Sequence, residues 1–298
     1  MMGIPENQLD TWAKQGSVTQ SQQTYASVRS CLEADDAPYR DKLYSIFLQG
    51  SYGNDTNIYA DSDVDVVIST SSIYYYDDDE LPDAQKSIFH AATGSGGGYT
   101  YNQFKTGVVA QLTKKFGSSV KPGKKAIFVP GSGARRDADV LAAVEHRRYT
   151  RYNSIYDNFY YDGICFWTSD GTKIVNYPKQ HSANCTTKHQ STNMWFKPCV
   201  RILKNMRNAM INAGCLKEGI APSYFLEGML YNVPNHLFKD SYHQTIADSL
   251  NWVKDADRSQ LVCANELYML LHPTSPVTWR AEQLQAYLSA AIKFWNDW

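Results

Sequence analysis

The stretch Leu48-Gln49-Gly50-Ser51, separated by eleven residues from Asp63-Val64-Asp65-Val66, decides the fold that this sequence is expected to adopt. The first stretch ends a β-rich run in a Gly-Ser turn, which exposes backbone N–H groups and a hydroxyl to an approaching phosphate. In the second stretch, strand alternation places both aspartates on one face, and the flanking valines indicate that the other face is buried. Two carboxylates so arranged suit a pair of Mg²⁺ ions that also bind phosphate oxygens. Together the two stretches predict a site for phosphoryl or nucleotidyl chemistry.

A third carboxylate must come from a neighbouring strand. Asp137 and Asp139 are the candidates, and only Asp139 has apolar residues nearby on both sides, so Asp139 is the predicted metal ligand. Its second predicted role is to orient, and to deprotonate, an attacking hydroxyl group. Asp61 shares the alternation of the aspartate pair but precedes the strand, and it is interpreted as a loop or cap residue.

Hydrophobic periodicity predicts alternating helices and strands in the first part of the chain. Helices are expected at 17–34 and 101–116, and strands at 44–49, 63–68, 125–130, 139–144, 164–168 and 173–176. Residues 69–99 contain an acidic run at 77–80 and a glycine-rich stretch at 94–98, so they are interpreted as a solvated insertion or mobile loop. The acidic run is assigned to solvent rather than to a metal ion.

The pattern changes after Pro178, where helical spacing replaces strand alternation. Helices are expected at 195–213, 223–231, 243–254 and 279–298. The predicted fold class is therefore α/β. A mixed-sheet core with an N-terminal helix is expected at residues 1–178, and a C-terminal helical lobe at residues 179–298.

Composition limits the classes of function that the chain can have. The formal net charge is −1 and the basic stretches at 121–125 and 147–151 are short, so binding to long nucleic acid is not indicated. Six cysteines occur without a CxxC pair, and the start carries no apolar signal region, which predicts reduced thiols in the cytoplasm. No stretch approaches 18 apolar residues, so no membrane span is expected.

The chain resembles the nucleotidyltransferase fold superfamily, whose signature is a Gly-Gly/Ser turn, an Asp-x-Asp/Glu pair and a later isolated acidic residue. More narrowly, it resembles the bacterial CD-NTases, relatives of cyclic GMP–AMP synthase and oligoadenylate synthase. The similarity covers most of the chain. It is carried by Leu48-Gln49-Gly50-Ser51-Tyr52-Gly53-Asn54-Asp55-Thr56, Asp63-Val64-Asp65, Ala138-Asp139-Val140, Ile174-Val175-Asn176-Tyr177-Pro178-Lys179, Arg201-Ile202-Leu203-Lys204 and Pro222-Ser223-Tyr224-Phe225-Leu226-Glu227.

The resemblance implies an active site in the cleft between the sheet core and the helical lobe. The nucleotide-binding residues that it implies are Gln49, Gly50, Ser51, Lys204, Ser223 and Tyr224. Among these, Lys204 and Ser223 would contact the triphosphate, and Tyr224 would stack on the donor base. Without the resemblance, Lys204 is interpreted as a solvated helix residue and Tyr224 as a core aromatic.

The resemblance also implies the reaction. Asp63, Asp65 and Asp139 would be catalytic and would hold two Mg²⁺ or Mn²⁺ ions. Nucleoside triphosphates, with ATP as one expected substrate and the second base open, would be joined into a cyclic di- or trinucleotide with release of pyrophosphate. The family's products activate a separate effector in antiphage defence.

Relatives in animals carry a His/Cys zinc thumb, and this sequence departs from that pattern. Cys185 and His189 are its nearest equivalents, and four ligands at usable spacing are missing, so no structural zinc is expected. Activation by long DNA is therefore not expected, and the chain is either constitutively competent or controlled by a protein partner. Two alternative functions remain open. One is a template-free transferase acting on an RNA, small-molecule or protein acceptor, and the other is a catalytically inactive nucleotide sensor.

Overall fold

The computed structural model of the chain describes residues 3–59, 63–94, 98–133 and 135–298. The helices in these ranges are α1 (Glu6–Ala13), α2 (Thr19–Leu32), α3 (Gly50–Gly53), α4 (Asp83–Ala92), α5 (Tyr101–Phe116), α6 (Pro178–Ser191), α7 (Phe196–Asn212), α8 (Ser223–Tyr231), α9 (Tyr242–Asp255) and α10 (Ala281–Asn296). The strands are β1 (Tyr44–Leu48), β2 (Val64–Asp77), β3 (Lys121–Pro122), β4 (Ile127–Val129), β5 (Ala138–Ser154), β6 (Asp157–Trp167) and β7 (Lys173–Asn176). These elements form two compact units, one built on a sheet and one built of helices.

The sheet unit comprises residues 19–49 and 63–178. Its seven-stranded mixed sheet has the order β1-β2-β5-β4-β3, and β6 pairs with both β5 and β7. Strands β2 and β5 run parallel, whereas the other neighbouring strands are antiparallel. The first residues of β5 pair with β4 and its later residues pair with β6, so β5 is the strand that joins the two halves of the sheet.

Helices α2 and α5 pack on each other and on the sheet of this unit. The start of α5 is fixed by a capping box, in which Thr100 and Gln103 exchange side-chain and backbone hydrogen bonds. Phe104 and Val108, four residues apart on α5, are both fully buried, as are Val66 and Val140 on the two parallel strands. The parallel pair β2–β5 is therefore covered by helix, which is the usual requirement for parallel strands.

The helical unit comprises residues 3–18, 50–59 and 179–298 of the described chain. Its central element is α7, which packs against α1, α8, α9 and α10. Fully buried side chains on both α7 and α8 contribute to one continuous core, among them Leu203, Met206 and Phe225. Because α7 is surrounded by other helices, even polar residues on its inner face must find partners within the protein.

The predicted helices at 101–116 and 223–231 coincide with α5 and α8. The interpretation of residues 69–99 as a loop was wrong for most of that segment, since β2 continues to Asp77 and α4 follows. The continuation of β2 is stabilised by parallel pairing with β5, which brings Tyr76 beside Arg147. In the acidic run, Asp78 lies 2.7 Å from His90, and Glu80 pairs with Arg148. Residues 95–97 of the glycine-rich stretch lie outside the described residues.

Two segments near the start of the chain belong to the helical unit, although the expected division at 178/179 placed them in the core. Residues 3–18 pack on α7, where Arg201 Nε donates to Ala13 O at 2.6 Å and Asn205 Nδ2 donates to Trp12 O at 2.9 Å. Residues 50–59 join the same unit through contacts with α7 and α8. The boundary after Pro178 is also a boundary between the two compact units.

Candidate active site

The parallel strands β2 and β5 bring two of the predicted metal ligands side by side. In the register of this pair, Asp65 lies opposite Asp139, and Val64 lies opposite Ala138. Val64 and Ala138 are buried, whereas both aspartates are half-buried on the alternate face of the sheet. Asp63 immediately precedes β2, and its side chain is exposed. The three carboxylates that the sequence singled out are therefore at the same ends of two neighbouring strands.

The electrostatic environment of Asp139 suits a divalent cation. Burial raises the pKa of its carboxyl group, and the negative charges of Asp63 and Asp137 raise it further. Carboxylates that destabilise one another in this way are stabilised when a cation neutralises them. The donor atoms are all oxygen, which Mg²⁺ and Mn²⁺ prefer, so the residues present fit such ions.

Asp137 has a different local environment from Asp139. Its Oδ1 accepts a hydrogen bond of 2.6 Å from Gly131 N, and it thereby closes the turn between β4 and β5. This structural contact agrees with the choice of Asp139 as the metal ligand, which stays a prediction. Asp61, interpreted as a cap residue, lies outside the described residues.

Gln49 and Gly50 lie at the end of β1. Gln49 N donates to Asp65 O at 3.0 Å, which ties this end of β1 to the aspartate strand, while its side-chain Oε1 is buried without a hydrogen-bond partner among the described residues. Gly50 has φ of +65°, a left-handed conformation that favours glycine. The short helix α3 begins at Gly50, and Ser51 O accepts a hydrogen bond of 2.9 Å from Thr56 N. The predicted Gly-Ser turn is thus a reversal that glycine permits, and it leads into a single helical turn.

Lys204 is fully buried in the helical unit, contrary to its interpretation as a solvated residue. Its Nζ donates to Thr56 O at 2.9 Å, so the ammonium group is aimed at the segment that follows Ser51. A phosphate contact by Lys204, which stays a prediction, would have to share this ammonium group with the Thr56 carbonyl. The sequence could not reveal the burial, because Lys204 lies on a helix whose neighbours come from distant parts of the chain.

Ser223 and Tyr224 open α8, as predicted. Arg207 Nη1 lies 3.4 Å from Ser223 Oγ and 2.9 Å from Ala221 O. Arg207 is a cation beside the predicted phosphate contact and was not among the predicted site residues. Its position three residues after Lys204 on α7 was the available signal, since such spacing places two side chains on one helix face.

The ring of Tyr224 contacts His181 and Trp279, and its hydroxyl is hydrogen-bonded. It stacks on His181 with ring centroids 4.3 Å apart and an interplanar angle of 20°. Tyr224 Oη accepts a hydrogen bond of 3.1 Å from Asn265 Nδ2, and burial raises the pKa of the phenol well above its ordinary value. Tyr224 is therefore a neutral, oriented aromatic plane, which is the property that base stacking requires.

Comparison with known proteins identifies the family of the chain. Residues 183–296 match the family described as the cGAS/DncV-like nucleotidyltransferase C-terminal helical domain. The chain is 36% identical over 299 residues to the cyclic UMP-AMP synthase of Rhodothermus marinus, a match that covers 100% of this chain and 99% of that protein. The chain belongs to the cGAS/DncV-like CD-NTases. A further CD-NTase, the cyclic nucleotide synthase CdnE01 of Staphylococcus haemolyticus, is 35% identical over 100% of both chains.

Solved structures of CD-NTases share the fold. The Rhodothermus marinus CdnE c-UMP-AMP synthase with Apcpp and Upnpp has a TM-score of 0.88 at 36% identity, covering 99% of this chain and 97% of that chain. The Elizabethkingia meningoseptica CdnE cyclic dinucleotide synthase with GTP and Apcpp has a TM-score of 0.76 at 29% identity, covering 99% and 98%. The predicted mixed α/β fold with a helical C-terminal part is confirmed.

This CD-NTase is a nucleotidyltransferase that synthesises cyclic nucleotides, as predicted, and the acceptor-dependent and inactive alternatives are less well supported. Enzymes of this family generally use divalent metal ions. Among the helices that the structure describes, none has the length and hydropathy of a membrane span.

A second group of side chains of the types that bind metals lies in the helical unit of this CD-NTase, and two of its members, His181 and Glu227, are hydrogen-bonded to each other. His181, Cys185 and Glu227 are buried, with their ligand atoms within 4.8 Å of one another. Burial raises the pKa of the Cys185 thiol well above its ordinary value. Cys185 and His189, the nearest equivalents of the zinc-thumb ligands, have different neighbours. Cys185 lies beside His181 and Glu227, whereas His189 accepts a hydrogen bond from Lys197 N.

Proposed function

We propose that this CD-NTase joins nucleoside triphosphates, ATP among them, into a cyclic di- or trinucleotide through catalysis at Asp63, Asp65 and Asp139. The observation that carries the proposal is the parallel register of Asp65 and Asp139, with the pKa of Asp139 raised by burial and by neighbouring carboxylates. Placing like charges together on a half-buried sheet face costs electrostatic free energy, and a metal-dependent reaction at this face gives a reason for that cost.

In each round, the 3′- or 2′-hydroxyl oxygen of one nucleotide attacks the α-phosphorus of a triphosphate. The new P–O bond forms as the bond to the pyrophosphate oxygen breaks, and the hydroxyl proton passes to the Asp139 carboxylate. Two Mg²⁺ or Mn²⁺ ions, when held by the three aspartates, supply positive charge that stabilises the pyrophosphate leaving group. A second round on the linear intermediate closes the ring.

The remaining predicted residues would bind the nucleotide. Gln49, Gly50 and Ser51 would present backbone and side-chain donors to the phosphates. Ser223, at the N-terminus of the nine-residue helix α8 and beside Arg207, would add a further phosphate contact. Lys204 would contribute charge from beneath Thr56, and Tyr224 would stack on the base.

Two of the related structures support ATP as one substrate. Both the Rhodothermus marinus and the Elizabethkingia meningoseptica enzymes hold Apcpp, while the second nucleotide is Upnpp in one and GTP in the other. The adenine nucleotide is therefore the shared substrate of these relatives. The second base of this enzyme is best determined from its product.

The biological setting is part of the same proposal. The product would activate a separate effector in antiphage defence, and a protein partner would control the enzyme. We place the reaction in the cytoplasm, where nucleoside triphosphates are available and where the six free thiols would remain reduced.

The test is to incubate the purified chain with all four NTPs and Mg²⁺, without any acceptor, and to analyse the products by mass spectrometry. The expected product is a phosphatase-resistant cyclic nucleotide. The double variant Asp63→Asn/Asp65→Asn should reduce the rate by several orders of magnitude, since metal ions contribute several kcal/mol to such transition states. The matched control is Asp77→Asn/Asp79→Asn, which has the same spacing and charge change at the last residue of β2 and two residues beyond it, and which should retain activity. If Asp63→Asn/Asp65→Asn formed the product at the wild-type rate, the proposed mechanism would be refuted.

A further inference from the structure

A buried histidine links Tyr224 to a buried carboxylate within the helical unit. His181 on α6 stacks on Tyr224, and its Nε2 lies 2.7 Å from Glu227 Oε2, one turn along α8 from Tyr224. The side chains of His181 and Glu227 are each 3% exposed. Because an ionised carboxylate only accepts hydrogen bonds, Nε2 of His181 must carry the proton. This hydrogen bond fixes the plane of the imidazole that supports the Tyr224 ring.

The same carboxylate binds the segment that follows Ser51. Glu227 Oε2 accepts from Asn54 Nδ2 at 3.0 Å, and Oε1 accepts from Thr56 Oγ1 at 2.5 Å. Lys204 Nζ reaches the same segment at Thr56 O. One buried carboxylate thus connects α8, the helix that carries both Glu227 and Tyr224, to the chain segment that begins with Gly50-Ser51.

Glu227 is kept ionised although it is completely buried. Burial alone would raise its pKa, but hydrogen bonds from His181 and Thr56 and the positive charge of Lys204 lower it overall. A buried ionic network of this kind is often no more stabilising than apolar packing, whereas removing one member leaves an unpaired charge. Stability alone therefore gives little reason for its presence. One end of the network lies at Tyr224, which is proposed to stack on the base, and the other lies at Asn54 and Thr56, whose backbone N–H groups donate to Gly50 O and Ser51 O.

We propose that His181 and Glu227 are positioning residues for the nucleotide, an inference that rests on the proposed roles of Tyr224 and Ser51. His181 holds the Tyr224 ring in the orientation that stacks on the base. Glu227 holds His181 on one side and, through Asn54 and Thr56, the phosphate-binding Gly50-Ser51 turn on the other. Neither residue needs to touch the nucleotide.

The first experiment tests the link between His181 and Tyr224. Binding of an ATP analogue with a methylene group between the α- and β-phosphorus atoms is measured for the full chain with Mg²⁺. Both His181→Ala and Tyr224→Ala should raise Kd by about tenfold, the lower part of the range for losing an aromatic stack on a base. The double variant should be no more than about twofold worse than Tyr224→Ala, because residues that act through one another are not additive.

A conservative variant separates stacking from folding. His181→Phe keeps an aromatic ring against Tyr224 but loses the hydrogen bond to Glu227 that orients it. Its Kd should therefore rise less than that of His181→Ala, by about threefold, and its melting temperature should fall. All binding is measured well below the melting temperature of each variant. The proposed link would be overturned if the increases in Kd caused by His181→Ala and Tyr224→Ala multiplied in the double variant. It would also be overturned if Kd were unchanged in His181→Ala.

The second experiment tests the link from Glu227 to the Gly50-Ser51 turn. Thr56→Val removes the hydroxyl that donates to Glu227 at nearly constant volume, and Thr56→Ser retains it. Thr56→Val should raise both Kd for the analogue and KM for ATP by about tenfold with little change in kcat, whereas Thr56→Ser should restore both. A merely structural role would lower the melting temperature of Thr56→Val and leave Kd and KM unchanged, which would refute this link.

The outcomes also separate this inference from the proposed function. If the wild-type chain neither bound the analogue nor formed a cyclic product, the proposed function and the positioning role would both fail. If the wild type did both and the variants behaved independently, only the positioning role of His181 and Glu227 would fail.

Discussion

At the scale of single residues, burial and hydrogen-bond partners decide what each polar group can do. Asp137 and Asp139 are two positions apart, yet Asp137 closes a turn through Gly131 N while Asp139 lies beside Asp65. The sequence distinguished the two only by their apolar neighbours. The structure adds the physical difference, because the pKa of Asp139 is raised by burial and by its acidic neighbours.

We expect Asp139→Asn to stabilise the folded chain near neutral pH when divalent cations are chelated. The pKa of Asp139 is higher in the folded than in the unfolded chain, so its ionisation lowers stability as pH rises through the acid range. Asparagine avoids this loss, and its advantage should fade as pH falls below about 4, where the unfolded carboxyl is also protonated. Calorimetric melting as a function of pH measures the effect, and a lower melting temperature than wild type at neutral pH would contradict it.

Added Mg²⁺ and the variant Asp137→Ala provide two controls for this prediction. Added Mg²⁺ should raise the melting temperature of the wild type more than that of Asp139→Asn, since ligand binding stabilises the folded state that holds the site. Asp137→Ala should instead destabilise the chain by about 1 kcal/mol at neutral pH, because it removes the hydrogen bond to Gly131 N.

At the scale of helices and strands, sequence patterns correctly predicted an element whose cap and buried face lie within one short segment of the chain. Helix α5 has its Thr100–Gln103 capping box and its buried face within one contiguous sequence. The second half of β2 depends on pairing with β5, so its sequence alone, which runs into an acidic stretch, did not identify it. Strand ends that are fixed by a distant partner are the boundaries that periodicity predicts least well.

We expect Gly163→Ala to destabilise the sheet unit. Gly163 lies in β6, where an added Cβ would come within 2.7 Å of the Tyr177 ring and 2.9 Å of Asn176 O. Tyr177 is buried, so the ring has little room to move, and overpacking of this kind costs about 1–3 kcal/mol. Gly98→Ala is the matched control, because an added Cβ there meets nothing within 4 Å. Urea unfolding of both variants measures the difference, and equal stabilities would show that β6 adjusts freely.

At the scale of the whole molecule, the two units bury all but one of the cysteine side chains. Cys215 is exposed, and the buried thiols are Cys31, Cys165, Cys185, Cys199 and Cys263. Burial raises the pKa of each of these five, to about 11 for Cys31 and to about 12 for Cys165 and Cys263. Since only the thiolate is reactive, these cysteines are protected by both burial and protonation.

We expect the native chain to react with one equivalent of Ellman's reagent and the chain unfolded in guanidinium to react with six. Cys215→Ser should abolish the fast native reaction and leave five thiols that react only on unfolding. Rapid reaction of a second thiol in the native variant would show that one of the two cores opens more readily than its packing indicates.

The sequence by itself predicted the Gly50-Ser51 turn and singled out Asp63, Asp65 and Asp139 as candidate metal ligands. The turn depends on the backbone freedom of Gly50, and the half-buried position of Asp65 between the buried Val64 and Val66 depends on the alternation of one strand. Both properties arise from neighbouring residues, so a local pattern is sufficient to predict them. The same holds for Ser223 and Tyr224 at the start of α8.

Only the tertiary structure decided which polar groups share an environment. It buried Lys204, placed His181 beneath Tyr224, and connected Glu227 to Asn54 across a separation of 173 residues. The residues that surround Glu227 come from α6, α7, α8 and the segment 50–59, and no periodicity within one element specifies that they meet. Such a network is selected by the requirement that every buried polar group find a partner, and that requirement is met only when distant segments pack together.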